Sequence, residues 1–490
     1  MRKSGIILPI FSLPSNYGIG TLGKEAYNFV DFLEKANVSF WQVLPLGPTS
    51  YGDSPYQSFS TFAGNPYFID LDILIEDGLL SKKEVEKYDF GKDKNHIDYG
   101  ILYKNRYKVL RAAFRNFNHK SNEDYLKFKE ENKDWIYDYS LFMAVKDYMG
   151  GEPWHKWEHI IRNRESDGII RYSTLLKDNI EFQMFMQFMF NIQWSRLKEY
   201  ANKKGVEIIG DIPIYVAEDS ADVWSNPKLF SLDKDLVPIK VSGCPPDDFS
   251  ETGQLWGNPI YNWKEHKNQN YKWWIKRIEA SLKLFDVIRI DHFRGFAGFW
   301  AVPYGDETAV NGKWEKGPGI ELFNAVKESF PEINVIAEDL GYITEDVREL
   351  LDYCKYPGMK VLQFAFDSKG DSEYLPHNYE KNTVVYTGTH DNNTIKGWFL
   401  SLSDEDRDFC KAYTGMIDEN DNWSYIKCAI SSTANIAILQ MQDILNLDKE
   451  ARINAPSTLG VNWIWRMNKE DMNEELAEKL KKIKMVYRRK

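Results

Sequence analysis

The sequence predicts an α/β fold, a (β/α)8 barrel with inserted subdomains, on three observations. Eight short apolar or β-branched runs recur along the 490 residues, and helical stripes fill the intervals between them. Several runs are apolar on both faces, as strands of a parallel sheet covered by helices must be. Three of them end in carboxylates, and a barrel gathers its working side chains at the C-terminal ends of its strands. At ~150 residues per domain the length alone suggests about three units, but one barrel with insertions fits equally. A doubly wound sheet is the competing arrangement of the same alternation.

The expected strands are residues 40–44, 67–71, 206–209, 287–290, 335–337, 361–366, 384–386 and 463–465. Before the first of them, Ala26, Phe29, Val30 and Leu33 form a helical stripe. Leu322, Phe323, Val326 and Phe330 form another, after Pro318 as a helix-start proline. Thr344 is the expected cap of a helix in which Val347, Leu350, Leu351 and Cys354 recur at i, i+3, i+4 and i+7. A barrel spanning 1–490 then contains two long interruptions. Residues 73–175, rich in Lys, Glu and Tyr, read as a helical insertion. Residues 213–285, rich in Pro, Gly, Asp and Trp, read as long loops covering the active-site cleft. A further long stretch between the seventh and eighth runs reads as mostly helical.

Composition narrows the partners. With 62 basic and 73 acidic residues the net charge is −11, which disfavours nucleic acid and other polyanions. Hydrophobic residues at 43% suffice for a large core. The 16 Trp, 28 Tyr and 28 Phe fill cores or stack on planar apolar faces such as those of sugars, and composition does not separate these uses. Cys244, Cys354, Cys410 and Cys428 form no C-x-x-C pair and suit a reducing compartment. Pro9 and Pro14 interrupt the apolar residues near Met1, and the apolar stretch 182–190 is short and carries Gln183 and Gln187. The expectation is a soluble, cytoplasmic protein outside the membrane.

The carboxylates carry the chemistry. Asp291 follows Val-Ile-Arg-Ile, Glu338 follows Val-Ile-Ala, and Asp391 follows Val-Val-Tyr-Thr-Gly-Thr-His390. In a barrel these three ends face one pocket. Glycosyl transfer through a covalent intermediate needs such a set: one ionised carboxylate attacks the anomeric carbon, and a second, protonated, donates to the departing oxygen. Arg289 points to the same face as Asp291, two residues on, and would keep it ionised. Crowding by the other acids would help Glu338 hold its proton.

Other uses of these residues are weighed against that one. An Asp after a strand commonly forms a turn or caps a helix, and Glu338 with Asp339 can do the same. His292 and His390 can be hydrogen-bonded rim residues. Three such strand ends, with an Arg and two His beside them, are harder to explain as caps. Asp and His at strand ends also ligate divalent ions, yet no H-x-H or H-E-x-x-H spacing occurs among the eight His. Neither G-x-G-x-x-G after a strand nor G-x-x-x-x-G-K-[ST] is present, so nucleotide binding has no support. Loops add a second layer. Tyr51 and Tyr56 lie in a turn-rich aromatic segment after the first run. Phe249 and Trp256 lie in a Pro- and Gly-fixed loop, where rings either pin the loop or meet a ligand. Asp211, at the end of another run, is placed to bond a sugar hydroxyl.

These strings resemble the 4-α-glucanotransferases (amylomaltases, or disproportionating enzymes), relatives of the α-amylase-like glycoside hydrolases. The resemblance rests on Ser4-Gly-Ile-Ile-Leu-Pro, Tyr17-Gly-Ile-Gly20, Gly52-Asp-Ser-Pro-Tyr-Gln-Ser58, Gly210-Asp-Ile-Pro-Ile and Ala217-Glu-Asp-Ser220. It continues through Pro245-Pro-Asp, Thr252-Gly-Gln-Leu-Trp-Gly-Asn-Pro259, Ile290-Asp-His-Phe-Arg-Gly295, Ala337-Glu-Asp-Leu-Gly341 and Gly388-Thr-His-Asp391 to Asn462-Trp463. It implies transfer of α-1,4-glucan segments between maltooligosaccharide or starch donors and acceptor sugars, without cofactor or metal. Asp291 is then the nucleophile, Glu338 the general acid/base and Asp391 the transition-state stabiliser. Tyr56, Asp211, Arg289 and His390 would line the subsite of the sugar that becomes covalently bound. Asp247, Phe249, Gln254 and Trp256 would belong to the loop over the acceptor side, with Asp367 a further acceptor-side candidate. Asp248 departs from the aromatic or small residue often found there. An α-glucan hydrolase with the same carboxylates, and a non-catalytic glucan-binding protein, are the alternatives.

Overall fold

The computed structural model describes residues 2–50, 52–246, 250–341, 343–458 and 460–490. Eight parallel strands form the barrel: β1 (Lys3–Ile7), β2 (Phe40–Gln42), β3 (Glu207–Ile212), β6 (Val287–Ile290), β9 (Val335–Ala337), β10 (Gly358–Val361), β11 (Thr383–Tyr386) and β12 (Ile436–Gln440). Their order around the sheet is β10-β11-β12-β1-β2-β3-β6-β9. The Ala337 amide donates to the Pro357 carbonyl at 3.0 Å, bringing β9 to the start of β10 and closing the ring. β1 lies between β12 and β2, with Gly5 opposite both Ile438 and Phe40. A Cβ on Gly5 would stand 2.8 Å from the Phe40 Cβ, so only glycine fits that crowded point.

The barrel has eight strands, as expected, but two members differ. Residues 67–71 are not a strand: Asn65 caps a 3-10 turn, Pro66–Phe68, and Asp70 caps the helix Leu71–Glu76 by accepting from the Ile73 amide at 3.0 Å. Two local caps there outweigh the β-propensity of the run. Residues 463–465 are not a strand either, since Trp463 is left-handed at φ 65° and Trp465 makes only an isolated bridge to His96. Their places are taken by β1 and β12, the latter inside the stretch expected to be helical. The sixth run starts earlier than expected, with 362–365 already a 3-10 turn. Thr344 precedes the helix Glu345–Cys354 without a side-chain cap bond, and Pro318 stands one residue before Gly319, the N-cap of Ile320–Ser329.

Helices fill the interval between β2 and β3, including Tyr99–Asn116, Ile136–Tyr148 and the 27-residue Lys177–Lys203. The last one steadies the barrel rim. Gln187 exchanges two bonds with the Gly64 backbone (2.7 and 2.9 Å), and Gln193 does the same with Asp70 (2.7 and 3.2 Å). The interval 213–285 holds more regular structure than loops alone. It supplies β4 (Lys240–Cys244), β5 (Gln254–Pro259) and the helix Lys272–Leu284. With β7 (Gly298–Pro303) and β8 (Lys313–Lys316), from beyond β6, these strands form an antiparallel sheet ordered β5-β4-β7-β8. Among the described residues no helix is long and apolar enough to cross a membrane.

Candidate active site

Register brings the first residues together. Asp211 on β3 pairs with Arg289 on β6, and Asp291 is one residue beyond the end of β6. The Arg289 guanidinium, 3% exposed, donates from Nη1 to Asp211 Oδ2 at 2.6 Å and to Asp291 Oδ1 at 3.1 Å. Arg289 is therefore a fixed positive charge between two acids. Asp211 is deeply buried. It is 1% exposed, its Oδ2 also accepts from the Tyr56 hydroxyl at 2.8 Å, and its other oxygen has no hydrogen-bond partner among the described residues. It orients Arg289 and Tyr56.

Glu338 sits at the end of β9, 9% exposed, and is laced to the end of β6. Its amide donates to the Ile290 carbonyl at 3.0 Å, and its carbonyl accepts from Phe293 at 2.9 Å. Its carboxyl accepts from the His292 amide at 2.6 Å and the Leu340 amide at 2.9 Å. His292 reaches it only by turning left-handed, φ 51°, a conformation that costs a β-carbon-bearing residue of order 1 kcal/mol or more. The same turn sets the His292 ring edge-on to Trp256, 4.7 Å between centroids.

Burial pushes Asp291 well above the usual carboxylate range, with Arg289 opposing and Asp211 adding to the rise. The expected ion pair is present, but it does not outweigh burial. Burial also raises Glu338, against the pull of Arg289 and the two amides. The cause is desolvation first, rather than crowding by other acids. Burial lowers His292 to about 3, and lowers His390, so both rings are neutral near pH 7.

The wall formed beyond β2, β11 and β12 is tightly knit. Tyr56 stacks on His390 at 4.9 Å and 17°, and Trp463 leans on both at 5.9 and 6.0 Å. His390 Nδ1 lies 3.3 Å from the Tyr56 hydroxyl, and Nε2 lies 3.3 Å from Asp391 Oδ1. Asp391 Oδ1 also accepts from Asn454 Nδ2 at 2.6 Å, while Arg452 donates to the Asp391 carbonyl. Asn454 is absent from the sequence reading, and Trp463 appears there only as part of an expected strand and a resembling string, because β12, which leads into their loop, is itself missed.

One cleft of about 1400 Å³ is lined by Tyr56, Arg289, Asp291, Glu338, His390 and Asp391, and also by Gln254, Trp256 and Asp367. Gln254 accepts from the Trp256 indole at 3.2 Å. Asp367 lines the cleft while accepting from the Lys369 amide at 2.9 Å. Tyr51, Asp247 and Phe249, like Asp248, lie outside the described residues. Among the described residues no group of three or more His, Cys, Asp or Glu is arranged to hold a metal ion.

An eight-stranded parallel barrel carrying three acids, neutral hydrogen-bonding groups and open rings in one cleft defines a carbohydrate-active enzyme of the (β/α)8 class. Comparison with known proteins is specific. Residues 8–472 match the family model described as 4-alpha-glucanotransferase. A 4-alpha-glucanotransferase of Clostridium butyricum is 54% identical over 483 residues, 98% of this chain and 99% of that one. One from Streptococcus pneumoniae is 47% identical over 492 residues, covering 100% and 97%. The solved amylomaltase from Streptococcus agalactiae in complex with acarbose superposes with a TM-score of 0.97 at 44% identity, covering all of both chains. The amylomaltase of Corynebacterium glutamicum shares the fold at 17% identity, TM-score 0.81, over 99% of this chain and 75% of that one. The chain belongs to the 4-α-glucanotransferase family. Its activity is 4-α-glucanotransfer, and the family acts on α-1,4-glucans.

Proposed function

We propose that the chain moves segments of an α-1,4-glucan from a donor maltooligosaccharide to an acceptor sugar by retaining double displacement. Asp291 attacks the anomeric carbon and Glu338 protonates the departing oxygen. Glu338 then takes the proton of the acceptor hydroxyl as that oxygen displaces Asp291. Asp391, held by Asn454, stabilises the oxocarbenium-like transition state. The observation that carries this reading is Arg289 joining Asp211 to Asp291 in the cleft that Glu338 also lines. Glu338 suits both halves of the cycle: burial favours its protonated form and two backbone amides favour its carboxylate. A residue that must give and then take a proton needs both forms within reach.

Tyr56, Arg289 and His390, with Asp211 behind them, hold the sugar that becomes covalently bound. Gln254, Trp256 and Asp367 face the acceptor. The roles of Tyr51, Asp247 and Phe249 rest on the resemblance of their strings. The interval 213–285 contributes the acceptor-side cover, and 73–175 is a helical insertion within the barrel. Free thiols at Cys354, Cys410 and Cys428 fit a reducing, cytoplasmic setting.

Pure maltotriose decides between transfer and hydrolysis. Transfer gives glucose together with longer oligosaccharides and no net gain in reducing ends. A rise in reducing ends in proportion to bonds cleaved would make the chain a hydrolase.

A further inference from the structure

Asp443 has no task in the reading above, yet it is a fully buried acid bonded to the segment that carries His390 and Asp391. It lies in the short helix Met441–Ile444, which follows β12 directly. Its two oxygens reach two separate points of that segment. Oδ2 accepts from the Thr387 hydroxyl and Oδ1 from the Ile395 amide, both at 2.7 Å. Thr387 is the first residue beyond β11, and Ile395 opens the helix Ile395–Ser401. The Thr387 hydroxyl also accepts from the Gln440 amide at 3.1 Å, which joins the ends of β11 and β12. Asp443 is itself fixed: the Asn422 side chain donates to its carbonyl at 2.6 Å.

The chain after β12 holds the middle of the same segment as well. Arg452 donates to the Asp391 carbonyl, the Asn454 amide donates to the His390 carbonyl at 3.1 Å, and Asn454 Nδ2 reaches the Asp391 carboxylate. Asp391 needs such support, because its side chain is 44% exposed and packing around it does not fix its place. Burial raises the Asp443 carboxyl to about 7, opposed by the same Ile395 amide and Thr387 hydroxyl. Burying an acid among neutral donors costs stability. Its distinctive property here is geometric: an aspartate offers two acceptor oxygens, one for each end of a segment, where asparagine offers one.

We propose that Asp443 is a positioning residue for glycosyl transfer, clamping both ends of the segment from Thr387 to Ile395 so that Asp391 and His390 meet the reacting sugar in one geometry. Asp443 is not among the residues that line the cleft, and it acts through the segment it holds. A group that stabilises a transition state must be aimed before the reaction starts, and the clamp supplies that aim. This rests on the role given to Asp391 above.

The test compares kcat and KM on maltotriose for the wild type, D443A, D443N, T387V, T387S and D391N, with the folded fraction of each read from its thermal unfolding curve. Misplacing a catalytic group by ~1 Å costs roughly 10²-fold, so kcat per folded enzyme falls by about that factor in D443A while KM stays within about twofold. D443N, with one acceptor oxygen left, falls between D443A and the wild type. T387V loses one anchor and about tenfold in kcat, whereas T387S keeps the hydroxyl and stays within about twofold of the wild type. A wild-type kcat in folded D443A overturns the proposal, as does an equal loss in T387V and T387S, or a loss carried by KM alone. If D443A does not fold, the two Thr387 variants decide by the same criteria. D391N turning over at the wild-type rate refutes the role of Asp391 itself, before any Asp443 variant is compared.

Discussion

The two walls of the cleft are built on opposite plans. The wall of Tyr56, His390, Asp391, Asn454 and Trp463 comes from the segments that follow β2, β11 and β12, and its members touch: stacked rings at 4.9 Å and hydrogen bonds down to 2.6 Å. The wall of Trp256, Trp314, Phe364 and Asp367 comes from the added antiparallel sheet and the turn after β10, and it presents open rings to the cleft. The first plan suits a sugar whose ring must be held in one geometry while its bond breaks, since interactions that accelerate chemistry must be aimed before the reaction starts. The second suits ligands of varied length, which need a surface more than a lock. Precision is paired with polar contacts here, and tolerance with rings.

The comparison can be broken most severely at Asp291. D291N removes the nucleophile and is expected to lower turnover roughly 10⁴-fold or more while calorimetry shows near-normal maltooligosaccharide affinity. Turnover at the wild-type rate would remove Asp291 from its role. Asn454 comes next, because it tests whether the knit wall works as a unit. N454A frees one oxygen of Asp391 and loses a bond to a charged group worth about 1.5–3 kcal/mol, or roughly 10- to 150-fold in kcat with little change in KM. A pure KM effect would mean that Asn454 only binds sugar. On the sheet wall, W256A is expected to slow transfer to the acceptor several-fold more than formation of the glycosyl-enzyme, as read by burst kinetics; equal losses in both steps would contradict the division. The pH profile then sharpens the electrostatics. The nucleophile must be ionised and burial raises Asp291, so the acid limb of kcat/KM lies above the ordinary carboxylate range and activity falls as pH drops through it. An acid limb at or below pH ~4 would show that Arg289 outweighs burial. Smallest of all, dialysis against EDTA is expected to change nothing in the maltotriose assay, and a loss restored by a divalent ion would bring the metal reading back.

Much of this was legible in the chain. Asp291, Glu338 and Asp391 each follow a short apolar run, and runs of that kind, with their polar ends, declare a parallel strand and its open end together. Where the sequence misled, local chemistry was the reason. β1 hides behind Gly5, which reads as a strand breaker and is in fact the residue a crowded barrel needs between Ile438 and Phe40. Residues 67–71 look like a strand, but Asn65 and Asp70 turn them into capped helix. Missing β12 also hid Asn454, because a loop residue has no periodicity of its own and is found only through the strand it follows. Trp314 and Phe364 were two rings among many, and only their place in the cleft singles them out.

The position of β1 has a consequence for how the chain reaches this state. β1 finds its partner on one side early, in β2, but its other edge waits for β12. Some ~430 residues separate the two, and at ~5–20 residues per second a ribosome needs roughly 20–90 s to supply the missing strand. Throughout that interval the nascent chain presents an open edge of unpaired amides and carbonyls, the feature most prone to wrong pairing. Ring closure is therefore a late event of synthesis, and the interval before it is when this barrel is most exposed to capture by a neighbour's strand.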